Sequence, residues 1–333
     1  MLSLLDKAAL AGNHEILVYL SETIPCTSNT LTSAIEGGNV ECLSFVFRKL
    51  NLTQFEYEDH IQLATKLGHL DCLKFIRDIN NSHGFGTKLQ IIAAANGHVH
   101  IMRYLFENGV LFGDTEDVCN AAAKNGHLEC LKFAHEDGAL WSDLTIDLAI
   151  INGHFDCFEY AAVNGCEMDE FVMQVAAREG KIAVIRYLAG KGMPVTEALC
   201  EAACSEGRLK MLKFLREELE CPWNSEAIHY SIEGNFMDCL QYCLMNGCPL
   251  RVATLLHYIK RSKIENWNIN WNTPESRIFI KLYQKVPPIH DTSLGRAIKE
   301  KMDEINMYKE YAGIFCEGIV VNDILEHVVH QYF

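Results

Sequence analysis

The 333-residue sequence contains no run of eighteen or more apolar residues, so it offers no stretch long enough for an apolar helix to cross a bilayer. Met1 to Leu10 carry Asp6 and Lys7 inside an amphipathic stretch instead of a basic segment followed by an apolar one, and no secretory signal is expected. None of the strings G-x-x-x-x-G-K-[ST], G-x-G-x-x-G, H-E-x-x-H or G-x-S-x-G occurs, which leaves phosphate-loop, dinucleotide, zinc-protease and serine-hydrolase chemistry without their usual signatures. Gly190-Lys191-Gly192 lacks the following Ser or Thr that a phosphate loop needs. No C-x-x-C pair appears among the fourteen cysteines. They recur at equivalent helical places, which points to reduced, buried thiols in a cytoplasmic protein and not to a disulfide framework.

Positive charge is scarce in most of the chain. From Arg251 onward, 11 Lys and Arg face 10 Asp and Glu, leaving 18 against 34 for residues 1–250. An acidic surface of that size repels phosphate backbones and favours basic or polar protein partners, so nucleic acid is excluded as an expected ligand. No membrane partner, small-molecule substrate, cofactor or metal is expected either.

What the sequence does contain is a repeat. A glycine opens closely related segments at Gly12, Gly38, Gly68, Gly97, Gly126, Gly153, Gly180, Gly207 and Gly234, spaced 26 to 30 residues apart. Four residues before it stands an alanine in eight of the nine copies: Ala8, Ala34, Ala64, Ala93, Ala122, Ala149, Ala176 and Ala203. Seven residues after it the first eight copies carry an aromatic, from Tyr19 and Phe45 to Tyr187 and Phe214. Each unit reads as two short helices meeting at the glycine: the alanine allows close approach of neighbouring repeats, and apolar positions such as Leu128, Leu131 and Ala134 line one face of the second helix. Trp141, Met168, Val195 and Trp223 each precede an N-cap candidate, Ser142, Asp169, Thr196 and Asn224, and each pairs at staple spacing with Ile146, Met173, Cys200 and Ile228. Such aromatics are read as architecture.

The order A-A-x-x-G-H-L-E-x-x-K, carried by Ala122, Ala123, Gly126, His127, Leu128, Glu129 and Lys132 and closed by Gly138, resembles the ankyrin repeat. The resemblance covers residues 1 to about 250, with two departures: the family's T-P-L-H is absent, and the units are shorter than the usual ~33 residues. The deficit falls where the family's β-hairpin finger would lie. The expected fold is therefore an all-α, ankyrin-like solenoid of about nine units (1–250) with shortened or missing fingers, plus a C-terminal helical extension (251–333). Short tips such as Cys221-Pro222-Trp223 and Gly247-Cys248-Pro249 look similar to arrays of giant DNA viruses and protists; the expected location is the cytoplasm, that of the host if the origin is viral.

Past Pro249 the period fades. Arg251 to Ile264 reads as a degenerate tenth unit, and Pro274 to Val286, Thr292 to Tyr311 and Asn322 to Tyr332 as further helices; the region is either a polar cap on the array or a small recruiting module.

His69, His98, His127 and His154 recur at the start of the second helix, which implies a local structural hydrogen bond and not catalysis. Cys239, Cys243 and Cys248 form the one local thiol cluster, without a nearby histidine for zinc.

In stacks that the chain resembles, the first helices line the concave side, and six residues before the glycine the polar groups Gln62, Asn120, Asp147, Gln174 and Glu201 follow one another. These are the candidate partner-binding residues. A second ladder, Glu58, Glu116, Asp143, Glu170 and Glu197, is accounted for by the preference of helix starts for acids. The sequence thus predicts a non-catalytic protein-protein interaction scaffold. The alternative is a two-part adaptor whose C-terminal helices recruit a larger complex such as a ubiquitin ligase, and an enzyme with a site near His290 and Asp291 is the weakest reading.

Overall fold

The computed structural model describes residues 2–51, 57–80, 86–113, 116–169, 171–234 and 236–249, together with the helical residues Arg296, Lys299, Glu300 and Asp303. The expected tenth unit, the module or cap at 251–333 and the His290-Asp291 site otherwise lie outside the described residues. The chain divides into two compact units, Met1–Val172 and Met173–Phe333.

In the first unit six helical hairpins follow one another: α1 (Leu4–Leu10) with α2 (His14–Leu20), α3 (Ser28–Glu36) with α4 (Val40–Leu50), α5 (Tyr57–Leu67) with α6 (Leu70–Asn80), α7 (Lys88–Ala95) with α8 (Val99–Glu107), α9 (Asp117–Asn125) with α10 (Leu128–Glu136), and α11 (Asp143–Asn152) with α12 (Phe155–Val163). First helices pack on first helices along the series, from α1 on α3 to α9 on α11, and second helices on second helices. The second unit carries α13 (Val172–Arg178) with α14 (Ile182–Gly190), α15 (Glu197–Ser205) with α16 (Leu209–Glu217), and α17 (Ser225–Glu233) with α18 (Met237–Met245). The described residues contain no strand, so the connections that are described in full hold no β-hairpin finger. Nine hairpins meeting at nine glycines is the helical-repeat fold that the spacing predicts.

The alanine column is the contact line between first helices. Ala34, Ala64, Ala93, Ala122, Ala176 and Ala203 are all fully buried. Approach here is so close that a methyl added at Gly37 would lie 2.4 Å from the backbone oxygen of Leu10 in the preceding repeat. The hairpin turn needs a left-handed residue: Gly126 caps α9 at φ 75, a region in which a side chain is strained.

The residue after that glycine reaches back one repeat. His69 Nε2 lies 3.1 Å from the Glu36 oxygen, His98 Nε2 lies 2.9 Å from the Lys66 oxygen, and in the second unit Arg208 Nε donates to the Arg178 oxygen at 2.9 Å. A carbonyl can only accept, so each imidazole carries its proton on Nε2 and satisfies a carbonyl left open at a helix C-terminus. The ring then seats on the previous glycine: a Cβ at Gly126 would stand 2.4 Å from His154 Nδ1, and one at Gly38 would stand 2.5 Å from His69 Nδ1. The histidines are structural, as their recurrence implies, but the bonds of His69 and His98 run between repeats and not within their own helix. Burial pulls the His98 pKa below the ordinary imidazole value, with the neighbouring His100, His127 and His69 adding to that and the Lys66 carbonyl opposing it.

Two further sets of contacts close the second-helix side. Guanidinium groups lie over the aromatic column, Arg77 over Tyr104, Arg103 over Phe133 and Arg186 over Phe214, at 4.8 to 5.5 Å from the ring centres. Trp141 stacks on His135 at 3.6 Å and Trp223 lies under Arg216 at 4.2 Å. Both tryptophans are thus packed into the architecture.

Candidate functional site

The polar column six residues before the glycine is not one continuous surface. Asn120 Oδ1 accepts from Thr145 Oγ1 of the next repeat at 2.6 Å. Glu201 Oε1 accepts from Asn224 Nδ2 at 2.7 Å. Gln62 Nε2 donates to Glu58 Oε1 within its own helix at 3.1 Å, and Glu58 also takes Lys88 Nζ from the next repeat at 3.4 Å. Asn120 and Glu201 therefore tie repeats together, and Gln62 steadies an acid of the second ladder. Gln174 is half-buried on α13. Another member of that second ladder, Glu116, accepts from Ser142 Oγ at 2.5 Å.

The same column contains a residue the sequence reading passed over. Asp6 on α1 is buried; its carboxylate accepts from Thr30 Oγ1 of the next repeat at 2.7 Å and from the Ser3 backbone N–H at 2.9 Å, while the Ser3 hydroxyl accepts from the Asp6 N–H to complete a capping box. Burial raises its pKa, but the Thr30 and Ser3 donors outweigh that and hold it below the ordinary carboxylate value. The signal for such a tie was available: a threonine eight residues before the next glycine, Thr30 or Thr145.

Asp147 is the member of the column that is left over. The residue in the Thr145 register of the following repeat is Val172, which has no donor to offer. Among the described residues no hydrogen bond or cation meets the Asp147 carboxylate. Burial, with the nearby Asp169 and Asp143 carboxylates, pushes its pKa up to about 6. Several apolar side chains of the same stretch are exposed. Leu144, one turn from Asp147 on α11, is 49% exposed, and Phe171, its register equivalent in the next repeat, is 50% exposed. Leu140 and Met168 are also exposed on the loops that lead into these two positions. The result is an acidic and apolar surface at residues 140–171, its apolar part invisible to a search for polar ladders.

Cysteine chemistry follows a second pattern. The thiols of Cys166, Cys221 and Cys248, each at the end of a repeat, donate to the backbone oxygen of the first-helix N-cap of that same repeat, Ser142, Thr196 and Asn224, at 3.0, 3.1 and 3.1 Å. All described cysteines except Cys26 are buried. No group of three or more His, Cys, Asp or Glu among the described residues is placed to hold a metal ion.

With this geometry established, the comparisons are direct. The family model for ankyrin repeats, three copies, matches residues 61–141. Residues 61–141 are thus similar to ankyrin repeats. The hairpins on either side of them continue the register of the turn glycine. A solved structure to which the chain is similar is the human ASB11 ankyrin repeat domain, at 18% identity and a TM-score of 0.38, over 58% of this chain and 86% of that one. No curated protein matches the chain in sequence. Ankyrin repeats are protein-protein interaction modules in general, and no described helix is long and apolar enough to cross a membrane.

Proposed function

We propose that this chain is a non-catalytic interaction scaffold of the cytoplasm that holds a protein partner on the surface formed by α11 and the approach to α13, residues 140–171. The observation that carries this reading is Asp147: a carboxylate crowded by Asp143 and Asp169, without a cation among the described residues, in a stretch where Leu144 and Phe171 are exposed. Such a site is electrostatically unrelieved on its own. A partner that presents a Lys or Arg beside apolar side chains relieves the repulsion and covers the apolar area at once, which is a gain specific to the bound state. Asn120 and Glu201 enter binding only through the repeat geometry they maintain.

The test is selection of peptides from a displayed random library by the full-length chain. The expected winners are net positive with interspersed apolar residues, and the Asp147→Lys and Phe171→Ser variants, which leave the repeat ties intact, should no longer enrich them. Identical winners for the wild type and both variants would place recognition elsewhere.

A further inference from the structure

The repeat that opens at Gly207 contains a feature that no other repeat combines. In three repeats a cysteine ends the unit and donates to the N-cap carbonyl; in the units of Cys166 and Cys248 the residue seven before the glycine is Ile146 or Ala227. In the unit of Cys221 that residue is Cys200. The two columns coincide there, and Cys200 Sγ comes to 3.5 Å from Cys221 Sγ, both side chains fully buried.

The hydrogen bonding around the pair is asymmetric. Cys221 spends its one proton on the Thr196 oxygen, so its sulfur accepts from the Cys200 thiol. The guanidinium of Arg216 donates to the Cys221 backbone oxygen and lies over Trp223 two residues on. Donation from Cys200, with a smaller contribution from the Arg216 charge, draws the Cys221 pKa down against the opposing effect of burial, while the same bond and burial drive Cys200 up. Cys221 is thus the sulfur better able to become a thiolate, with a protonated thiol already in contact.

The chain around Cys221 can yield. Glu220 immediately before it sits at φ 50, a left-handed conformation that is costly for a residue with a side chain. Glu220 and Pro222 are both exposed, so the sulfur lies one residue beneath the surface of a short loop. Local opening of that loop admits a small oxidant without unfolding the helices.

We infer that Cys200 and Cys221 form a redox-modifiable dithiol that hydrogen peroxide closes to a disulfide within the Gly207 repeat. The Cys221 thiolate attacks the peroxide O–O bond, which gives a sulfenic acid and releases hydroxide that is protonated to water. The Cys200 sulfur then attacks the sulfenyl sulfur; the S–S bond forms as the S–O bond breaks, and the Cys200 proton leaves with the oxygen as a second water. Two thiols are oxidised by two electrons and one hydrogen peroxide is reduced. The closed form exchanges the thiol-to-Thr196 bond for a covalent tie between the end of the repeat and α15.

The experiment uses the full-length chain, treated with hydrogen peroxide, then denatured with excess N-ethylmaleimide and mapped by peptide mass spectrometry without reduction. The expected product is a Cys200-Cys221 linked peptide, two hydrogens lighter than the sum of its parts, that disappears after treatment with dithiothreitol. Cys166 and Cys248, which share the thiol-to-carbonyl bond, remain alkylated in the same sample. Unlinked Cys200 and Cys221 at peroxide levels that oxidise glutathione, or linkage chiefly to other cysteines, overturns the inference. Cys200→Ser supplies a second reading that needs no disulfide. Its Cys221 should be trapped by dimedone as sulfenic acid, whereas Cys200 of Cys221→Ser should not, and the reverse pattern overturns the assigned roles.

Discussion

Thr145 Oγ1 gives its proton to Asn120 Oδ1 across the junction of two successive repeats at 2.6 Å, and Thr30 stands in the same relation to Asp6 at 2.7 Å. Each bond joins two successive first helices near their N-terminal ends. Asn120→Ala and Thr145→Val should therefore each lower unfolding stability, by about 1 kcal/mol for a neutral side-chain bond. Removing both should cost less than the sum of the two, because the second change finds no bond to break. Denaturant unfolding of the two single variants and the double variant measures this; additive losses would mean that the bond contributes nothing.

Asp147 makes a prediction with a definite sign in pH. Its carboxyl has a pKa of about 6 in the folded chain against the ordinary 3.8, so folding is penalised where the group must ionise. The penalty is absent below pH 3.8, grows between 3.8 and 6 and is complete above 6. Asp147→Asn should then stabilise the protein at pH 7 by about 1 kcal/mol, a figure reduced for the solvent that still reaches the side chain. Near pH 3.5 the same substitution should leave stability unchanged. Melting temperatures of wild type and variant at the two pH values check the sign; a stabilisation that does not fade in acid would remove the electrostatic cause.

Two glycines with ordinary helical backbone should respond in opposite directions to the same methyl. At Gly37 the new carbon would meet the Leu10 oxygen at 2.4 Å and the Ala9 oxygen at 2.8 Å, atoms of a helix end that cannot swing aside. Gly37→Ala should lose about 1–3 kcal/mol. At Gly190, the last residue of α14, the methyl meets nothing within 4 Å, and Gly190→Ala should gain up to ~1 kcal/mol from the reduced freedom of the unfolded chain. Equal responses would show that the first helices can move apart at the first junction.

The fold was legible because its determinants lie within a repeat and recur. The glycine that turns the hairpin, the alanine that lets it stack and the caps at Ser142, Thr196 and Asn224 can each be read from one copy and checked in the next. The candidate site was less legible because the same residue type in one column plays different parts, depending on a residue in the following repeat. Asn120 is tied by Thr145, Glu201 by Asn224, and Asp147 is left free of such a tie by Val172. A column of polar residues does not reveal which members are occupied until the neighbouring column is set beside it. Gln90 shows the limit from the other side. It stands in an otherwise apolar column, fully buried, and its amide donates to the Met102 and Val110 oxygens while its own Oε1 has no partner. Nothing in the periodicity announced it, since its partners lie on α8 and in the loop beyond.

The imidazole seated on the preceding glycine gives the first unit an evolutionary property. His69 on Gly38, His98 on Gly68, His127 on Gly97 and His154 on Gly126 form one plug and one socket repeated four times. A whole copy excised or duplicated between these positions brings a histidine back onto a glycine, so this part of the seam is preserved. The array can thus lengthen or shorten in this stretch by recombination within its own gene, and the surface it presents can change with it. At Gly207 the ring that fills the socket is Phe236, and on Gly180 the Arg208 side chain packs instead. A copy moved across those junctions would meet a partner of the wrong shape, so the interchangeable stock of repeats lies in the histidine-linked stretch.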